Sequence, residues 1–120
     1  MTILETSRQF TPEELYALTK NPKNEVLKAH NGETLEVTGY CIYEDTNTKG
    51  ETRTLMSLEI TDEEFAITSN SETARRSLND IMEIYRMSGI ENPFPFLIEV
   101  YSDVATGSKR TFYDIKLKTK

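Results

Sequence analysis

Cysteine is nearly missing from this 120-residue chain. Cys41 stands alone, so no internal disulfide can form, and a reducing, cytoplasmic compartment is the default. Histidine is as scarce: with His30 the one imidazole, no Ser-His-Asp or Cys-His pairing rises above chance. No two cysteines or histidines stand at metal-ligand spacing. The five glycines are scattered, which excludes a glycine-rich phosphate loop. No apolar run approaches the roughly 18 residues that span a bilayer. Met1 to Phe10 carries Glu5 and Arg8 where a secretory signal needs an apolar stretch. These absences argue against an enzyme, a metal or other cofactor, and a membrane partner.

What is present fits one ordinary globular domain, with 37% hydrophobic and 28% charged residues. The net charge of −6 is unevenly spread. Residues 104–120 hold Lys109, Arg110, Lys116, Lys118 and Lys120 against Asp114, a local excess of four positive charges. The rest of the chain therefore carries about ten negative charges. For phosphate contact such a local stripe matters more than the global sum.

Along the chain, residues 1–10 read as a flexible N-terminus and 11–120 as a single domain. Thr11-Pro12-Glu13-Glu14 opens a helix: a cap, a proline suited to the first turn, and acids at the positive dipole end. This helix is expected over 11–22, stopping near Asn21-Pro22. Asn24 to His30 is ambiguous, and Asn31-Gly32 is a turn. Leu35, Val37, Gly39, Cys41 and Tyr43 alternate with Glu36, Thr38, Tyr40 and Ile42 in a long strand, with Gly39 marking a bulge or bend. Strands are expected over 53–60 and 64–68. Ser71 and Glu72 then open a second helix with Ala74, Leu78, Ile81, Met82 and Tyr85 on one stripe. Strands over 94–101 and 109–117 complete the pattern. The order strand, strand, strand, helix, strand, strand predicts a mainly β OB-fold, a five-stranded Greek-key barrel over 33–118 with the N-terminal helix added.

Asp62-Glu63-Glu64 reads as a solvated acidic turn, and Cys41 as a buried, inert thiol. A binding surface is the better use of the remaining residues. A barrel that binds single strands needs aromatic platforms for bases and cations for phosphates. Tyr40, Tyr101 and Phe112 are the candidate platforms; Arg53, Lys109, Arg110 and Lys116 are the candidate cations.

Four stretches carry a family resemblance. They are Thr11-Pro12-Glu13-Glu14-Leu15-Tyr16 and Gly32-Glu33-Thr34-Leu35-Glu36-Val37. The others are Thr68-Ser69-Asn70-Ser71, followed by Thr73, Arg76 and Ile81, and the final strand, from Gly107 through Lys109, Arg110, Phe112 and Tyr113. Over roughly residues 11–117 the chain resembles small single-stranded DNA-binding proteins from phages of Gram-positive bacteria. The resemblance implies an OB-type barrel coating DNA strands exposed in phage replication or recombination, with replication or recombination proteins as further partners. The acidic remainder motivates an alternative: an acidic phage interaction protein that docks on a host or phage enzyme as a nucleic-acid mimic. Either a monomer or a homo-oligomer fits the sequence.

Overall fold

The structure is a computed structural model and describes residues 1–119, so Lys120 of the basic stripe lies outside the described residues. It is mainly β: one curled, half-barrel mixed sheet with two helices packed on it. The strands are β1 (Thr2–Thr6), β2 (Glu25–Val26), β3 (Thr34–Thr46), β4 (Thr52–Ile60), β5 (Ala66–Ser69), β6 (Phe96–Val104) and β7 (Thr111–Leu117). The helices are α1 (Pro12–Thr19) and α2 (Glu72–Met87), with a short 3-10 turn at Leu27–His30. The order across the sheet is β2-β5-β4-β3-β6-β7, and β1 also pairs with β3.

The long strand β3 organises this sheet. It pairs antiparallel with β4 from Val37 to Thr46. Its opposite edge is shared: β6 takes Thr34–Val37, and β1 takes Cys41–Glu44. The register against β4 slips between Val37 and Gly39, which is the bulge that the glycine led us to expect. One extra residue turns every later side chain over. Leu35 and Val37 face the main core before the bulge, and Tyr40 faces it afterwards. Cys41 and Tyr43 are turned to the other face, where they pack with Phe10, Leu18 of α1 and Ala66. Both faces of β3 are therefore covered.

Residues 1–10 are not a loose lead-in. The Thr-Ile-Leu-Glu-Thr run is compatible with a strand, and the second half of β3 offers it an open ladder. Beyond β1, the Ser7 amide donates to the Tyr40 carbonyl (3.0 Å), and Phe10 is buried. Arg8 reaches both carboxylate oxygens of Glu59 (2.9 and 3.1 Å) and Oε2 of Glu14 (3.0 Å). Helix α1 starts on a full capping box between Thr11 and Glu14. It stops at Thr19 rather than 22: the Lys20 amide makes the last regular bond to the Tyr16 carbonyl (2.8 Å), and the Asn21 amide folds back onto the same carbonyl (3.1 Å).

Helix α2 is capped by the Ser71 hydroxyl, which accepts from the Ala74 amide (3.2 Å). Its Ala74, Leu78 and Ile81 are buried against Met56, Leu58, Ile98, Val100 and Ile115 of the sheet. No helix among the described residues is long and apolar enough to cross a membrane.

The sheet is not zipped into a closed cylinder. Among the described residues β5 and β7 share no ladder; the second edge of β5 takes β2 in parallel, through Glu25↔Ile67 and Val26↔Thr68. The 3-10 turn that follows β2 lies in this seam, in contact with both β5 and β7.

Of the five glycines, Gly39 alone has no room for a side chain: a Cβ there would stand 2.6 Å from Arg8 Nη1, 3.0 Å from Ser7 Oγ and 3.1 Å from Glu59 Oε1. Gly39→Ala is expected to displace the Arg8 tip and Ser7 and to cost about 1–2 kcal/mol in urea unfolding. In an Arg8→Ala background the same substitution should cost clearly less, a coupling that a double-mutant cycle reads directly.

Candidate nucleic-acid interface

The seam between β5 and β7 opens into a cleft of about 750 Å³. One wall is Arg53 and Leu55 of β4 with Thr68 and Ser69 of β5; the other is Phe112 and Tyr113 of β7. Lys20, Asn21 and Asn24 from the end of α1, with Val26, Leu27 and Lys28, close one side. Asn70 and Ser71, at the entry to α2, complete the rim.

Several polar groups here are already engaged. The Asn24 amide nitrogen donates to Ala17 and Leu18 carbonyls, and its oxygen accepts from the Ala66 amide (2.8 Å). Asn21 bonds to the Glu64 carbonyl and the Lys23 amide. Lys20 pairs with Asp45, and its hydrogen bond holds that carboxyl below the ordinary value. Arg53, Lys28 and Asn70 are different: among the described residues none has a side-chain hydrogen bond or an ion pair. Lys28 Nζ stands over the Tyr113 ring, 5.9 Å from its centre. Unengaged cations beside exposed aromatic edges suit a flexible anionic chain carrying planar groups.

Of the seven residues singled out in the sequence, Arg53 and Phe112 line this cleft. Lys109 and Arg110 stand exposed in the hairpin leading into Phe112, with Lys109 at φ +56°. Tyr101 and Lys116 form a neighbouring patch on β6 and β7. Lys116 Nζ lies 5.2 Å from the Tyr101 ring centre and 3.3 Å from Glu99. The Tyr101 hydroxyl donates to Asp114 Oδ2 (2.9 Å); that bond first, and burial second, raise its pKa. Asp114 is buried and also accepts from Ser77 Oγ (2.6 Å), so the carboxylate ties β7 to α2 and β6.

Tyr40 is the correction. It is 4% exposed, inside the main core, with its hydroxyl bonded to Glu5 and its ring 6.2 Å from that of Phe94. Burial, then the Glu5 hydrogen bond, push its pKa far up. The bulge before it reverses the faces of β3, so the alternation on which its outward placement rested does not continue past Gly39. The same reversal moves Cys41 into the second cluster, where burial pushes its thiol up to about 11.

The sequence reading missed Lys20, Lys28, Tyr43 and Tyr113. Lys28 sits in the ambiguous stretch before the Asn31-Gly32 turn, and no local pattern marks its approach to β7. Tyr113 belongs to the apolar stripe of its strand, yet it lines the cleft while packing on the core. Compared with known proteins, the chain matches no family model, no curated protein and no solved structure.

Tyr40→Ala is expected to destabilise the fold by about 3–5 kcal/mol, the cost of a large core truncation. Tyr40→Phe should fold normally and bind any ligand of the cleft as the wild type does, by titration of both proteins side by side.

Proposed function

We propose that the protein is a non-catalytic, largely sequence-independent single-stranded DNA-binding protein. In this reading β3, β4, β5, α2, β6 and β7 make an OB-type barrel, opened between its third and fifth strands. The strand order, the sharing of β3 between β4 and β6, and the helix after β5 support that assignment. The setting we propose, strands exposed during phage replication or recombination, rests on the resemblance of the four stretches quoted above.

The observation that carries the reading is the charge of the cleft. The chain holds 20 acidic residues against 14 Lys and Arg, yet among the described residues no carboxylate lines the cleft, while Lys20, Lys28 and Arg53 do. A site kept free of acid in an acidic protein is selective for anions. Phe112 and Tyr113 supply stacking surface; Asn70, Thr68 and Ser69 supply polar groups. Phosphates would run past Arg53 and Lys28 toward Lys109 and Arg110, with a base against Phe112. Tyr101 and Lys116 would extend the track, with Glu99 competing for the lysine.

Fluorescence anisotropy of a labelled oligothymidine, beside a duplex control and across a salt series, tests this. Single-strand binding that falls with salt is expected, with little duplex affinity. Phe112→Ala should weaken it by about 1–3 kcal/mol, and Arg53→Ala should lower the salt slope by about one unit. No binding at low salt would overturn the reading and favour the acidic docking protein instead.

A further inference from the structure

His30 makes an arrangement that neither the core nor the strand-binding reading requires. The residue is 8% exposed, lies in the 3-10 turn, and its ring stacks on Phe65 with centres 5.7 Å apart. Both ring nitrogens face carboxylates: Nε2 is 2.6 Å from Glu25 Oε1, and Nδ1 is 3.1 Å from Glu33 Oε1. A neutral imidazole has one N–H and can satisfy one of these acceptors; the imidazolium satisfies both. The geometry is that of the charged form.

The two carboxylates lie on either side of the segment that borders the cleft. Glu25 is in β2, Glu33 is in the turn entering β3, and between them run Val26, Leu27 and Lys28. Little else fixes this strap. The ladder of β2 to β5 is two residues long, and the 3-10 turn has no side-chain cap. The Thr68 hydroxyl reaches the Glu25 carbonyl only at 3.4 Å. Leu27 is buried, and past the turn the Gly32 amide and the Glu33 carbonyl are bonded to Val100 of β6.

We propose that His30 is a proton-dependent latch on the DNA-binding cleft. Doubly protonated, it draws Glu25 and Glu33 together and holds Lys28 over Tyr113; losing a proton, it leaves one carboxylate facing a lone pair and releases the strap. The proposal rests on the strand-binding reading for its ligand, but the latch itself is independent of it.

The surroundings of the ring set the direction. From β2 it faces Glu25, and from the turn Glu33. From the β4–β5 connection it faces Phe65, beside which Asp62, Glu63 and Glu64 share a shallow pocket with Lys23 and Glu25. From β6, main-chain bonds to Val100 and the Asn31 side chain, which donates to Ser102 Oγ (3.2 Å), reach the turn, and β7 contributes Tyr113, which carries Lys28. Burial disfavours the charged imidazole, but the hydrogen bonds to Glu33 and Glu25 outweigh it, and the pKa lies above 6.5. A raised histidine pKa means that the latch is fully closed below the unfolded value of 6.5 and opens as pH rises through the folded value.

The test combines two readouts on the full chain. Without DNA, the His30 ring is titrated by NMR while amide exchange is followed across 25–30. Exchange there, corrected for the intrinsic pH dependence, should rise as the ring loses its proton. With labelled oligothymidine, wild-type affinity should fall about three- to tenfold between about pH 6 and pH 8.5. His30→Gln, which presents one donor and one acceptor like the neutral ring, should bind at both pH values as the wild type does at the higher. Exchange that does not follow the ring, or a pH dependence that survives in His30→Gln, overturns the latch. An absence of DNA binding at every pH overturns the strand-binding reading alone, because the exchange data still decide the latch.

Discussion

The bulge between Val37 and Gly39 is the constraint on which the rest of the molecule depends. Without it, β3 would present Leu35, Val37, Cys41 and Tyr43 to one side and Glu36, Thr38, Tyr40 and Ile42 to the other. With it, the two halves of one strand serve two cores. The first half and Tyr40 close on α2 and β6, and Cys41 with Tyr43 closes on α1. Arg8 stabilises the same point from outside, because its guanidinium sits where a side chain at residue 39 would have to go. Burying strand residues on both faces gives a 120-residue chain two apolar clusters without any cross-link.

Much of this was legible in the chain, and the reasons are specific. The α2 stripe of Ala74, Leu78 and Ile81 was readable because a long helix repeats its signal over several turns. The faces of β7 were readable because Tyr113, Ile115 and Leu117 alternate without interruption. Gly39 announced a bulge, but a glycine does not say whether the face changes after it, and that ambiguity put Tyr40 on the wrong side. Residues 2–6 gave no sign of their partner, since an added strand depends on an open edge created forty residues later in the chain. The cleft was half legible. Arg53 and Phe112 were found on their strands, whereas Lys28 arrives through a two-residue strand and a single 3-10 turn, elements too short to leave a periodic trace.

The distribution of charge has the same logic. Carboxylates are spent where they fix geometry: Glu14 and Glu59 on Arg8, Glu25 and Glu33 on His30, Asp45 on Lys20, Asp114 on Ser77 and Tyr101. Arg53 and Lys28, which border the cleft, are among the cations left without such a duty. Net charge is thus a poor guide to what this surface attracts, because most of the acid is turned to other tasks or away from the opening.

The division of β3 between two partners also sets an order of assembly. Its second half meets β4 through a short hairpin, closed by the Asn47–Glu51 turn, and can pair almost as soon as both strands exist. Its first half waits for β6, with Leu35 pairing to Ile98 across the whole of β4, β5 and α2. Until that distant strand returns, Leu35 and Val37 lie along an unpaired edge, and the seam beside β7 has no second wall. Loop-closure entropy makes this pairing the slow one. The cleft, which needs β7 hydrogen-bonded to β6, is therefore the last part of the molecule to exist during folding.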